Sequence, residues 1–137
     1  MKGSSAIVAA DRIQTAIHLI RGERVIVDRD LAGLYGVATK VFNQAVKRHK
    51  DRFPDDFMFK LTVQEAKDWG REVIGRRLRS QSVTLKRGQH LKHQPFVFTE
   101  HGILMLSSVL HSERAIKVNI EIMREFVRLR KLVSTHD

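Results

Sequence analysis

Gly36 divides two short segments that can each form a helix but cannot continue into one another. Glycine takes up the left-handed backbone that ends a helix without steric cost. The segment before it, DRDLAGLY, places Asp28 where an N-terminal cap is wanted. The segment after it runs from Ala38 to Arg52 and is stopped shortly afterwards by Pro54. Leu31, Tyr35, Val37, Phe42 and Ala45 can close one small core between the two, and Ala32 is small where they would cross. Two helices joined by a tight glycine-containing turn form a helix-turn-helix.

The wheel of the second helix sorts its residues. Phe42, Ala45, Val46 and His49 share one face and are expected to be buried. Lys40, Asn43, Gln44 and Lys47 fall opposite, with Thr39 and Lys50 at the margins. The amides of Asn43 and Gln44 can donate to and accept from adenine in a major groove, and the lysines can neutralise phosphates. A merely solvated face needs no such mixture, although short helix pairs with a glycine turn also occur in proteins that never touch DNA.

The distribution of charge supports a polyanionic partner. Residues 38–52 carry five Lys/Arg against one Asp, and residues 71–94 carry seven against one Glu. These surpluses of +4 and +6 sum to the whole net charge of +10. Charge concentrated in two stretches, rather than spread for solubility, is the footprint of nucleic-acid binding. In the second stretch Arg76, Arg77, Arg79, Ser80, Gln81, Lys86, Arg87 and Lys92 can track a phosphate backbone or reach into a minor groove, and residues 75–94 read as a polar loop or extended hairpin.

A chain of 137 residues that is 42% hydrophobic fits one domain with a real core. We expect a flexible leader over 1–12, a domain over 13–133 and a tail over 134–137. No apolar run is long enough to span a membrane, no signal-peptide pattern opens the chain and no cysteine is present, which fits a cytoplasmic protein. Apolar runs on either side of Arg21-Gly22 predict a hairpin from Ile17 to Val27, with a helix through Ile13, Ala16, Ile17 and Ile20 as the rival reading of its first half. FMF and FVF read as short strands. Thr62-x-x-Glu65 is a capping box that opens a helix through about Ile74. Thr99 is expected to cap a helix through Leu110, and Ser112 a longer one to about Val133. On that last helix Ile116, Ile120, Met123 and Val127 recur at helical spacing. Core packing is the preferred reading of this stripe, and a homodimer seam is the alternative. The fold class is therefore α+β, a mainly helical single domain with a helix-turn-helix-like pair and short antiparallel strands.

Catalysis finds little support. His90, His93, Glu100 and His101 could ligate a metal on paper, as in a metal-dependent nuclease, but their spacing fits no zinc motif. His90 and His93 fit better as partly charged groups near DNA. Ser107 and Ser108 have no evident base. We expect no catalytic residue, no metal and no cofactor. A further class is an antirepressor acting by contact with a repressor protein. The last helix could serve it, and its outer face reads as mixed in charge through Glu121, Arg124, Glu125 and Arg128.

The motifs DRDLA-LYGV, FNQAVKR, RFP-DFMF-LT, F-FTE-G--ML and SERAI-VNI-IMR-FV-LR occur in that order. In this the chain resembles the ORF-six N-terminal domain family, related to the KilA-N and Bro-N domains of phages and large DNA viruses. The resemblance covers about Ile17 to Leu132. It implies a DNA-binding regulator or antirepressor of phage or prophage origin, often joined to a separate C-terminal effector domain. The chain departs from the family near GQHLKHQPF, where His90, Lys92 and His93 stand in place of two arginines and a tyrosine. The expected partners are double-stranded DNA and, in the second class, a repressor protein.

Overall fold

The computed structural model describes residues 9–80 and 94–135. The chain divides into two compact units, residues 1–59 with 97–137, and residues 60–96. The class is α+β, and the described residues form six α-helices and a four-stranded antiparallel sheet ordered β1-β2-β4-β3.

The first unit opens with α1, Ala10–Ala16, whose Ile13 is fully buried, so Ala10, Asp11 and Arg12 are already helical. The rival helix stops at Ala16. From there β1, Ile17–Ile20, and β2, Glu23–Val27, form the expected hairpin, closed by the pair Ile20 and Glu23. Both turn residues have positive φ, 56° at Arg21 and 75° at Gly22. This is the two-residue turn whose twist matches paired strands. Arginine is costly in that conformation, and its guanidinium lies 4.2 Å over the Phe59 ring, which offsets part of the strain. Val25, Ile26 and Val27 are all fully buried, as befits a central strand covered on both faces. β2 pairs on its other side with β4, Phe96–Thr99, through Val25 with Thr99, Ile26 with Phe98 and Val27 with Val97.

Helices α2, Asp28–Tyr35, and α3, Thr39–Arg48, follow β2. Gly36 has φ 76°, and it donates to Gly33 while Val37 donates to Ala32 across it, the paired bonds of a left-handed helix end. Arg114, from the last helix, donates to the Leu34 carbonyl and lies so close over Gly36 that a side chain there would meet it. The second helix is shorter than its sequence suggests. It ends at Arg48, and Lys50–Arg52 form a separate 3-10 turn.

β3, Met58–Lys60, leads out of the first unit and β4 leads back. Thr99 accepts from the Gly102 amide as the cap of α5, Glu100–Leu106, and its own amide donates to the Phe57 carbonyl. α5 ends four residues before the expected Leu110, in a run of tight turns through Val109. Ser112 caps α6, Glu113–Thr135, by accepting from Ala115. The core of this unit gathers Leu31, Leu34, Phe42, Phe98, Ile103, Leu106 and Ile122, each no more than 1% exposed.

α6 turns the expected stripe outward. Its buried face is Ala115, Val118, Ile122 and Phe126, whereas Ile116 is 51% exposed, Ile120 47% and Val127 40%. Both rows satisfy helical spacing. The inward row also carries Asn119 and Glu125, polar residues that find internal partners: Glu125 accepts from Gln14 on α1 and from Arg128.

The second unit holds α4, Val63–Ser80. Its capping box is formed as expected. The Thr62 amide donates to Glu65 at 2.8 Å, and the Glu65 amide donates to Thr62 at 3.1 Å. The helix continues six residues past Ile74. Arginine is a good helix former, so Arg76, Arg77 and Arg79 sustain the helix although no apolar period marks it. The loop expected from residue 75 is therefore corrected for 75–80. Leu61, Ala66 and Trp69 are buried, and the Leu61 amide donates to the Pro95 carbonyl. No helix among the described residues is long and apolar enough to cross a membrane.

Candidate nucleic-acid interface

α3 is fixed by what it buries. Phe42 is fully enclosed, stacks on Tyr35 of α2 with centroids 6.1 Å apart, and meets Phe98 of β4 edge-on at 5.5 Å. Val46, one turn on, is 5% exposed. Burying one phenylalanine and one valine side chain contributes roughly 1.5–3 kcal/mol each, enough to set the rotation of a ten-residue helix. The expected inner face of Phe42, Ala45, Val46 and His49 is therefore the inner face, with Ala45 and His49 half-buried at its edges.

The outer face carries Thr39, Lys40, Gln44 and Lys47, all exposed. Asn43 departs from the wheel. It is half-buried, and its amide nitrogen donates to the buried Asp28 carboxylate at 3.2 Å. Asp28 in turn accepts from the Arg29 amide at 2.6 Å and lies within the first turn of α2, where Val27 is the N-cap. Its role is to tie α2 to α3 rather than to end a helix in solvent. Asn43 thereby spends a donor on the fold and stands at the margin of the outer face. Lys50 is exposed on the 3-10 turn, beyond the helix.

Two residues join the outer face that the wheel did not select. Val41 is 54% exposed and Arg48 is exposed, and with Gln44 they form a second i, i+3, i+7 row beside Lys40, Gln44 and Lys47. The apolar character of Val41 pointed to the core; its position seven residues before Arg48 was the available signal. No acidic residue lies between Asp30 and Asp51, so α3 contributes no acid of its own to this face. The N-cap residue of α3, Ala38, makes no side-chain capping bond.

In the second unit, Arg76, Arg77 and Arg79 occupy the last two turns of α4, followed by Ser80. Gln81, Lys86, Arg87, His90, Lys92 and His93 lie outside the described residues. Glu100 pairs with Arg130, and His101 stacks on Phe57 at 5.6 Å. The Ser107 and Ser108 hydroxyls donate to the Leu104 and Met105 carbonyls. Among the described residues no group of three His, Asp or Glu is arranged to hold a metal.

Beneath α2 and α3 lies a buried polar link. The Tyr35 hydroxyl donates to Asn119, and the Asn119 amide donates to the Ile103 carbonyl at 3.1 Å. Burial pushes the Tyr35 hydroxyl well above its ordinary pKa, and the Asn119 bond offsets this only partly.

No curated protein and no solved structure matches the chain. Residues 15–109, from the hairpin through the sheet to the end of the α5 segment, match the ORF6N domain. With more than half its length inside that match, the chain belongs to the ORF6N domain family, a phage-associated regulatory family.

Proposed function

We propose that the chain is a double-stranded DNA-binding transcriptional regulator of phage or prophage type, acting in the cytoplasm, with α3 as its major-groove helix. The observation that carries this reading is the outer face of α3: cations, an amide and a methyl-bearing side chain, uninterrupted by any acid and held outward by Phe42 and Val46. Lys40 and Lys47 neutralise phosphates, with Thr39 and Lys50 beside them. Gln44 reads adenine, and Val41 offers an apolar contact to a thymine methyl. Asn43, with its amide nitrogen on Asp28, presents the remaining amide edge at the side of the groove. Arg76, Arg77 and Arg79 of α4, and Lys86 and Arg87 after them in sequence, are further phosphate contacts in their own right.

Fluorescence anisotropy with random duplex DNA at two salt concentrations tests this. Binding should weaken steeply with salt, with each phosphate contact contributing about 0.9 to the log–log slope. Changing Lys40 and Lys47 to alanine should lower that slope by nearly two. Absence of binding at low salt, or an unchanged slope in the double variant, would remove α3 as the contact.

A further inference from the structure

We propose that the groove beside α6 is a docking site for a protein helix with an apolar stripe and acidic flanks. This site shares no residue with the proposed DNA contact and does not depend on it.

α6 is apolar on two sides. The inner row is buried. The outer row, Ile116, Ile120, Met123 and Val127, lines an open groove of about 630 Å³ with Leu104 of α5 as its far wall and Asn119 among its lining residues. Leu104 is itself 54% exposed. Solvated aliphatic side chains grouped in this way mark an interaction surface. The intervals of four, three and four residues are those of a coiled-coil seam, and they extend over about 16 Å, three turns of a partner helix.

Charge selects the partner. The edge of the seam carries Lys117, Arg124 and Lys131 at intervals of seven, all exposed, and Arg128 stands beside them. Glu125, which sequence alone counts as an outer acid, is 4% exposed and engaged by Gln14 and Arg128. The outer acids that remain are Glu121, half-buried, and Glu113, 4.0 Å from Lys117. With Lys117 beside Glu113 and Arg128 paired with Glu125, the surplus positive charge of the rim comes from Arg124 and Lys131, both exposed and both lining the groove.

A second copy of this chain fits poorly. Antiparallel pairing about the centre of the stripe, between Ile120 and Met123, would bring Lys117 of each copy close to Arg124 of the other, between molecules that each carry +10. DNA offers isolated thymine methyls, not a continuous apolar surface to match a row of four aliphatic side chains. A flat anionic lipid surface suits it less than a helix does, because the apolar side chains line a groove with a wall. An amphipathic helix bearing Asp or Glu beside its apolar stripe satisfies both the groove and the rim.

The test uses the whole chain and two synthetic peptides of about 20 residues, long enough to form the helix. Both carry leucines at the four-three-four spacing, one flanked by glutamates and the other by lysines. By anisotropy the glutamate peptide should bind at least about tenfold tighter than the lysine peptide. Ile120→Asp should abolish its binding without changing DNA affinity, and Arg124→Glu with Lys131→Glu should reverse the charge preference. Both sets of positions are exposed, so thermal melts should match the parent. Equal binding of the two peptides, or no binding of the glutamate peptide, overturns the proposal. So does a dimer in sedimentation that Ile120→Asp dissolves, or binding to phosphatidylserine vesicles in place of the peptide.

Discussion

α3 and α6 are both amphipathic helices of the first unit, and both present an outward stripe at intervals of three and four residues. On α3 that stripe is Lys40, Gln44 and Lys47; on α6 it is Ile116, Ile120, Met123 and Val127. Their inner faces are alike, aromatic and aliphatic side chains sealed in one core. What differs is how much the inner face reveals about the outer one. α3 has a single apolar side, so its burial dictates what is left for solvent. α6 has two, and only packing decides between them. A polar outer stripe beside cations suits a polyanion, whereas an apolar outer stripe beside cations suits an acidic protein surface. Periodicity alone gives both helices the same description.

The largest expected effect breaks the assignment of the α6 faces most directly. Ile122→Ala should destabilise the fold by about 2–5 kcal/mol, because it removes fully buried methylenes and leaves a cavity. Ile120→Ala, two residues away, should stay within about 0.5 kcal/mol, as exposed positions do. Denaturant midpoints measure both. Equal losses would put Ile120 in the core and remove the groove.

Gly102→Ala should cost about 3 kcal/mol. A Cβ there would lie 2.0 Å from the Phe57 carbonyl oxygen, a backbone atom that also accepts from the Thr99 amide. The strain falls at the start of α5, so a lowered midpoint with the peptide-binding groove loosened and DNA affinity retained in the folded fraction would separate the two regions. A midpoint unchanged from the parent would refute the close packing.

Tyr35→Phe should cost about 1–3 kcal/mol at neutral pH by leaving the buried Asn119 oxygen without its donor. The pH dependence has a definite sign. The folded hydroxyl is held above its ordinary value near 10, so its contribution is complete below that pH and is lost as pH rises beyond it, where the unfolded chain releases the proton first. Tyr35 is the sole tyrosine, so tyrosinate absorbance reads it alone. Absorbance that rises well before unfolding would contradict the burial.

Much of this was legible in local chemistry. Gly22 between two β-branched runs, the Thr62 and Glu65 box, the Thr99 and Ser112 caps and the Gly36 stop are each decided within a few residues, and each stands as expected. Two of the misreadings depend on partners distant in sequence, and the third on local propensity. Asn43 leaves the exposed row because Asp28 lies fifteen residues away and needs a donor. The rotation of α6 is set by its packing on α1, α2 and α5, none of which its own sequence encodes. Residues 75–80 stay helical because arginines extend a helix without any apolar period to announce it. The ORF6N resemblance identified the family and left each of these choices open.

The smallest expected effect divides the labour within α3 itself. Asn43→Ala removes the donor to Asp28 and should lower stability by about 1 kcal/mol, modest because the pair is only partly buried. Any loss of DNA affinity should then follow from a displaced helix and fall on every sequence alike. Gln44 is exposed, so the melting curve of Gln44→Ala should match the parent. Its effect should appear instead as a relaxed base preference of about 1–3 kcal/mol at one position of a selected site. Measuring both variants by thermal melt and by site selection gives four readings. Asn43 changing stability and Gln44 changing specificity is the expected pattern. If Asn43 carries the specificity at unchanged stability, its bond to Asp28 gives way on binding, and the outer stripe of α3 is the wider one that the wheel describes.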